Sequence, residues 1–380
     1  MEMLRHIFLL FLSSYVIWKV CDSFQQASRF LGRHMPVGTR GATINAIGSS
    51  FPEFMTSFIA IFEYSKNEGA MFGISNTTGS VVYNITMIPF FVIFSCFLFK
   101  TVSKMKFDKI ILIRDGMFLI MTQVYLMLVL SSGTITTWNS IILIMFYVLY
   151  LIVIFNYPKK IKNATKEQHH DFFLENSKHI VKALKDIDLY RIFFGKSEKQ
   201  NTLNSFIILI LSILVFYFMC DILVSSSYAI SDILNIPSYF IAMTITAVAT
   251  SVPDTILSVK DAKIGAYNDA ITNAFGSNIF NISFCIGFPI LIYNIIFDSD
   301  LILSYSSVES INHLKNISIF LVILTIMIFV IKKLKWILKS FLLLIMYIIF
   351  LVYIGLEIDN FHVKADETMQ HHRHLANFFS

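Results

Sequence analysis

The sequence predicts an all-α membrane protein, with ten transmembrane helices arranged as two inverted five-helix repeats. Three observations carry that expectation. The 380 residues are 56% hydrophobic and only 14% charged, with 38 Phe, whereas a soluble domain has roughly 25% charged residues. Apolar runs near the roughly 20 residues needed to cross a hydrocarbon core recur along the chain. Finally, one polar stretch, "GATINAIGSSFPEFMTSF" (Gly41 to Phe58), returns in the second half as "AMTITAVATSVPDTILSV" (Ala242 to Val259). A β-barrel would alternate apolar and polar residues instead.

Taken in order, the spans are expected at 7–28, 37–62, 73–99, 110–131, 138–156, 204–233, 238–260, 267–296, 316–332 and 335–355. The apolar N-terminus shows no small-residue cleavage site, so it reads as the first span rather than a signal peptide. Residues 157–203 form the long polar segment, including "PKKIKNATKEQHHDFF", and the tail after Glu357 is polar and His-rich. The expected organisation is a first repeat at 1–156 (polar motif 38–90), a loop at 157–203, a second repeat at 204–355 (polar motif 238–290) and a tail at 356–380. Basic residues test this count, because cytoplasmic loops are enriched in Lys and Arg. One set of alternate loops holds most of them. The other loops and both termini hold only Arg5, Lys66, Lys315, Lys364 and Arg373. The 157–203 loop is therefore expected in the cytoplasm and both termini outside. A plasma membrane is the expected location, although nothing in the sequence separates it from an organelle membrane.

The repeat is residue by residue. Thr43 aligns with Thr244, Ile44 with Ile245, Ala46 with Ala247, Ser50 with Ser251, Pro52 with Pro253, Glu53 with Asp254 and Ser57 with Ser258. Further on, "GSVVYNI" (Gly79–Ile85) aligns with "GSNIFNI" (Gly276–Ile282). The preceding spans also correspond loosely, through Asp22 and Asp221 and through Pro36 and Pro237. Five spans per copy is an odd number, so the second copy starts on the opposite side of the membrane. Such inverted repeats are the architecture of secondary transporters, with the substrate site near the midplane.

The chemistry of the repeated residues fits a cation. A proline removes a backbone donor, which frees carbonyls near Ala46–Ser49 and Ala247–Thr250, and freed carbonyls in lipid need partners. An acid follows each proline: Glu53 and Asp254. Ser49, Ser50, Thr250 and Ser251 lie a turn or less before them. Ser80 and Asn84 share a helix face, as do Ser277 and Asn281. This donor set is all oxygen, as hard cations require; Ca²⁺ accepts about six to eight such ligands, whereas Zn²⁺ or Cu⁺ favours nitrogen or sulfur. Two carboxylates balance one Ca²⁺, or Na⁺ ions, or two protons. The bland readings are a packing kink for the prolines and a paired structural charge for the acids; two matching copies in inverted halves disfavour both. Cys21, Cys96, Cys220 and Cys285 have no metal-ligand spacing and read as packing residues. Asn84 and Asn281 each begin a glycosylation sequon, but both lie inside spans.

These stretches resemble the two α-repeats of the cation/Ca²⁺ exchanger superfamily, with "GSSFPE" and "TSVPD" followed by "GSVVYN" and "GSNIFN". The resemblance covers essentially the whole chain, though it is specific only in the repeats. It implies Na⁺-driven Ca²⁺ countertransport, with Glu53 and Asp254 as central acids. It also implies that Ser49, Ser50, Thr250, Ser251, Ser80, Asn84, Ser277 and Asn281 complete the ion sites. Three residues depart from the family pattern. Ala249 stands where Gly is usual, which would stiffen the second break. Arg40 sits at the mouth of the second span. Asn281 replaces the Asp of members that also carry K⁺, which argues against K⁺ dependence. A proton-driven divalent-cation antiporter remains open as an alternative. A passive cation channel and an intramembrane aspartyl protease are the readings from other classes; the second needs two acids sharing a proton. The expected partners are Ca²⁺, Na⁺ and the bilayer, with no nucleic acid and no bound cofactor; oligomeric state is left open.

Overall fold

A computed structural model describes residues 1–31, 46–64, 66–100, 105, 108–156, 187–194, 201–303, 305–331 and 333–378. Among these the regular structure is helical, apart from two short strands. The helices are α1 (Glu2–Leu31), α2 (Ala46–Ser49), α3 (Phe51–Glu63), α4 (Lys66–Leu98), α5 (Lys109–Ser131), α6 (Thr137–Asn156), α7 (Leu189–Phe194) and α8 (Thr202–Leu234). They continue as α9 (Ser238–Ile241), α10 (Ala247–Lys263), α11 (Tyr267–Phe280), α12 (Gly287–Phe297), α13 (Tyr305–Val330) and α14 (Trp336–Phe378). Two π-helical segments, Ala242–Thr246 and Asn281–Ile286, join α9 to α10 and α11 to α12. Strand β1 (Thr134–Ile135) pairs antiparallel with β2 (Leu301–Ile302).

Eight of the helical stretches are long and apolar enough to cross a membrane. Two of the expected spans fall short for local reasons. The span expected at 37–62 starts outside the described residues, and from Ala46 it runs as two pieces interrupted at Ser50. The span expected at 316–332 lies in α13, whose apolar part is only Asn316–Val330 because Glu309, His313 and Lys315 occupy its start. At the C-terminus, α14 continues well beyond the expected end at 355. Most of the 157–203 loop, the pair Thr43 and Ile44, and Arg40 lie outside the described residues.

Local chemistry sets the helix ends. Asp108 caps α5 by accepting from the Ile110 N–H, and Asn201 caps α8 by accepting from the Asn204 N–H, each satisfying an orphan donor of the first turn. Asn235, with φ of 56°, ends α8, and its successor Ile236 donates back to the Ser231 carbonyl at 3.1 Å, the left-handed C-terminal arrangement that Asn tolerates.

Burial sorts the helices into a centre and a rim. In the most apolar 18-residue windows of Glu68–Leu98, Ser238–Lys263 and Tyr267–Phe297, 67% of the residues are buried, whereas in those of Thr137–Asn156 and Trp336–Phe361 only 28% are. Apolar side chains such as Leu149, Ile152, Ile349 and Val352 stay exposed on the rim, as surfaces facing lipid do. Helix α4 is the hub, packing against α3, α10, α11, α13 and α14. Helix α1 packs along α8, α5 against α11 and α13, and α6 against α12. The buried apolar residues form two separate cores. The smaller one joins α1 and α8 through residues such as Ile17, Phe24, Phe216 and Leu223. The larger one joins α4, α5, α6 and α11 to α14.

Contacts between helix ends fall into two groups. At one end, Lys109 donates to the Val330 carbonyl, the Asp108 N–H to Asn268 and the Leu189 N–H to Ser23, while Lys260 pairs with Asp22 at 2.7 Å. At the other end, β1 meets β2, Asn294 donates to the Ile135 carbonyl, and Tyr64 stacks on Tyr228.

Candidate cation site

Two irregular helical stretches carry the acids, one interrupted at Ser50 and the other π-helical at Ala242–Thr246. Pro52 occupies the first turn of α3, where its missing N–H is tolerated, and Ser50 forms the interruption with φ −95° and ψ 8°. In the second copy Pro253 lies within the continuous helix α10. There the irregularity comes earlier, as the π-helical segment Ala242–Thr246, a form that recurs at functional sites. The break expected near Ala247–Thr250 is therefore displaced toward the N-terminus. Helix α4 reaches this segment closely only because Gly79 has no side chain: a Cβ there would sit 2.0 Å from the Met243 carbonyl oxygen.

Glu53 and Asp254 are both fully buried, at 0% exposure. The halves hold each other's acids. Ser251 of α10 donates to Glu53 Oε1 at 3.2 Å, and Asn84 of α4 donates to Asp254 Oδ2 at 3.2 Å. The Thr250 hydroxyl donates back along its own helix to the Thr246 carbonyl at 3.2 Å. Asp254 also accepts from its own half, through Ser277 at 2.9 Å and Asn273 at 3.4 Å.

The remaining sequence candidates are also buried here, in different roles. Ser80 donates to the Ala247 carbonyl at 3.4 Å, which the Thr250 hydroxyl also approaches at 3.3 Å. The Ala46 carbonyl is not left free; it accepts the Ser50 N–H at 3.0 Å and the Ser49 hydroxyl at 3.5 Å. The oxygen that Pro52 deprives of a helical donor is that of Gly48, four residues earlier. Asn281 makes no hydrogen bond to Glu53 corresponding to that of Asn84 with Asp254. Its Oδ1 instead faces the Cys285 thiol at 3.6 Å, and its Nδ2 has no partner.

Several buried oxygens have no hydrogen-bond partner: Glu53 Oε2, Ser50 Oγ, Asn76 Oδ1, Asn84 Oδ1 and Asn273 Oδ1. Orphaned acceptors at this depth are rare and call for a reason; a set of them beside two carboxylates is the donor set of a hard cation. Among the described residues, no three His, Cys, Asp or Glu side chains group closely enough to hold a metal. A cation at this place is therefore met by an acid pair and neutral oxygens.

Sequence reasoning missed Asn76 and Asn273. Asn76 donates to Thr56 at 2.9 Å, and Asn273 to Ser258 at 3.1 Å and to Asp254. The signal was present. Asn76–Ser80–Asn84 and Asn273–Ser277–Asn281 are the same three-residue stripe at four-residue spacing, one turn longer than the Ser–Asn pairs alone. Asn278 was missed as well; it accepts from Asn84 at 3.0 Å and donates to the Val81 carbonyl at 3.2 Å.

The profile of the family described as "Sodium/calcium exchanger protein" matches residues 5–156 and 204–356. The sodium/potassium/calcium exchanger 3 of Rattus norvegicus is 31% identical over 142 residues, which is 37% of this chain and 21% of that protein. The chain thus spans about a fifth of the length of that curated relative. An uncharacterized membrane protein of Methanocaldococcus jannaschii is 24% identical over 268 residues, covering 69% of this chain and 73% of that one. Among solved structures, the H⁺/Ca²⁺ exchanger CAX superposes with a TM-score of 0.63 at 14% identity, over 96% of this chain and 91% of that one. The sodium-calcium exchanger NCX_Mj does so at 0.53 and 18% identity, over 91% and 98%. Those two structures share the fold.

Proposed function

The chain belongs to the sodium/calcium exchanger protein family, and on that premise we propose that it is a secondary active antiporter exchanging Na⁺ for Ca²⁺ at a midplane site around Glu53 and Asp254. The observation that carries this reading is the crosswise bonding of the acids. Each buried carboxylate accepts from the opposite half, through Ser251 and through Asn84. A site shared in this way changes whenever the halves move, and alternating access needs that property. Two carboxylates balance one Ca²⁺ or neutralise Na⁺ ions at the same oxygens, so occupancy by one ion excludes the other.

Ten spans in two inverted five-helix repeats are part of the proposal. The helix pairings support it. Exchanging α1 with α8, α2 and α3 with α9 and α10, α4 with α11 and α12, α5 with α13, and α6 with α14 maps each pairing among these helices onto itself or onto another. Thus α4 with α14 corresponds to α12 with α6, and α3 with α8 to α10 with α1. The two groups of helix-end contacts support the alternation of loops. In this reading the repeats occupy 1–156 and 204–355, the 157–203 loop is cytoplasmic, and the termini lie outside a plasma membrane. No resident cofactor is needed.

A proton-driven Ca²⁺ antiporter is the second reading, because Glu53 Oε2 is a buried carboxylate oxygen without a partner, and such an atom can carry a proton instead of facing Na⁺. Radioactive Ca²⁺ uptake into proteoliposomes, with Na⁺, K⁺ and H⁺ gradients imposed one at a time, tests both. The expected result is uptake driven by Na⁺ alone. Uptake driven only by H⁺ selects the second reading, and uptake with no counter-ion requirement makes the protein a channel.

A further inference from the structure

Three of the four cysteines converge on one short segment. The Cys21 Sγ of α1 lies 3.6 Å from the Gly48 carbonyl oxygen, and the Cys220 Sγ of α8 lies 3.7 Å from that of Pro52. The Cys285 Sγ, in the π-helical segment before α12, lies 3.9 Å from the Ser50 carbonyl oxygen. All three are buried free thiols. A thiol is a weak donor that otherwise behaves as a small hydrophobe, so packing alone gives no reason for three of them to aim at alternate carbonyls of one five-residue stretch. That stretch holds Ser49 and Ser50 and leads into Glu53. The Gly48 oxygen is also the one that Pro52 leaves without a helical donor, and a buried unpaired carbonyl is costly. Gln25 Nε2 donates to the Cys21 sulfur at 3.4 Å, which leaves the thiol hydrogen free to point at Gly48.

The arrangement breaks the repeat. Cys21–Asp22 and Cys220–Asp221 are the same dipeptide in corresponding helices, yet both thiols serve the first-half interruption. The second half keeps a continuous helix through Pro253 and has no interruption there to hold.

We propose that Cys21, Cys220 and Cys285 are positioning residues of the cation site, whose thiols hold the carbonyls of Gly48, Pro52 and Ser50 and so fix the turn that presents Ser49, Ser50 and Glu53. This rests on the transport reading above. The weakness of the S–H donor suits such a role, because the turn is placed but not locked and stays free to adjust as one ion replaces another. Cys285 has a second acceptor, Asn281 Oδ1 at 3.6 Å, so its single S–H proton is shared between the turn and the second half.

Two measurements test the proposal. In proteoliposomes, Cys21→Ala, Cys220→Ala and Cys285→Ala are each expected to raise the half-saturating Ca²⁺ concentration about threefold, the effect of one weak hydrogen bond. Maximal flux is expected to stay unchanged, and the corresponding Ser variants, which keep a donor, are expected to restore half-saturation. Cys96→Ala, a buried thiol near the end of α4, serves as the control and is expected to change neither value. Half-saturation that stays constant in all three Ala variants, or Ser variants that behave like Ala, would overturn the proposal. The second measurement needs no transport. The infrared S–H stretch of the purified protein is expected to show hydrogen-bonded thiol bands that disappear one by one in the Ala variants. Bands at free-thiol frequency overturn the proposal even if Ca²⁺ flux is normal. A wild type that moves no Ca²⁺ but shows the bonded bands overturns the transport reading and leaves the thiol contacts standing.

Discussion

Asp254→Asn separates the cost of holding a buried acid from its benefit to a bound cation. In wild type the Asp254 carboxylate accepts from Ser277 at 2.9 Å, from Asn84 at 3.2 Å and from Asn273 at 3.4 Å, with 0% exposure. An amide of the same shape keeps one acceptor and presents donors to donors on its other side. Without an ion, that loss is set against the removal of one of two neighbouring buried charges, each of which costs several kcal/mol to desolvate. The ion-free variant is therefore expected to be at least as stable as wild type. With Ca²⁺ the sign reverses. One positive charge is left uncompensated in a water-poor site, a penalty of about 3–5 kcal/mol, or roughly 10²- to 4 × 10³-fold in affinity at 1.4 kcal/mol per decade. At Ca²⁺ about 100 times the wild-type Kd, binding stabilises wild type by about 2.7 kcal/mol and the variant by less than about 0.5 kcal/mol. Thermal unfolding of the purified protein, in chelator and then in Ca²⁺, reads both numbers, and proteoliposome flux reads the consequence. A variant that keeps its Ca²⁺-dependent stabilisation and near-normal flux would refute the assignment of Asp254 to the site.

Other expected outcomes follow from single contacts. Gly79→Ala should abolish flux and lower the yield of folded protein, because the new Cβ meets the Met243 backbone oxygen at 2.0 Å and backbone cannot move aside as a side chain can; normal activity would show that α4 does not need this approach. Ser251→Ala removes the 3.2 Å bond to Glu53 Oε1, a charged hydrogen bond of about 1.5–3 kcal/mol, so half-saturating Ca²⁺ should change by at least about tenfold, whereas Ser251→Thr should preserve it. Wild-type flux should be the same with K⁺ or choline, since Glu53 and Asp254 balance a single Ca²⁺, while Asn281→Asp should make flux respond to K⁺; an absolute K⁺ requirement in wild type would refute this charge count. Cysteines introduced in the 157–203 loop should react only with reagents given access to the cytoplasm, and one at Lys364 only from outside; reaction from the same side would sink the ten-span arrangement.

The helices and the acids are legible in the sequence because their signals are local. Apolar length locates a span, and an acid directly after a Pro stands out in an apolar run wherever it sits. The pairing of the halves is legible as repetition, with Ser50–Pro52–Glu53 answered by Ser251–Pro253–Asp254. What the sequence conceals depends on crossing geometry. Nothing in "GSVVYN" says that Ser80 bonds the Ala247 carbonyl of the other half, or that Gly79 is a contact point with a π-helical turn. The cysteines escape a sequence reading for a related reason. Their burial follows from their apolar surroundings, but the direction of a thiol is a tertiary property, invisible to spacing rules that look for metal ligands. The full lengths of α13 and α14 are hidden because polarity ends an apolar run without ending a helix.

The most informative departure concerns the two prolines. Both halves place Pro at the same repeat position, yet only the first half is interrupted beside it, at Ser50. The residue four places before the proline, whose carbonyl loses its helical donor, is Gly48 in one copy and Ala249 in the other. Ala favours the helix over Gly by about 1 kcal/mol, and it stands inside α10, which runs unbroken through Pro253. The irregularity in that half is then taken up earlier, at Ala242–Thr246, where Gly79 lets α4 press against it. A proline thus sets the need for a break, and its neighbours decide where the break falls. It follows that Ala249→Gly should restore an interruption next to Pro253 and loosen the grip of Ser251 on Glu53. The expected readout is faster amide hydrogen exchange at 247–252, with a higher half-saturating Ca²⁺ concentration. Unchanged exchange across that stretch would show that Ala249 is not what holds the second helix together.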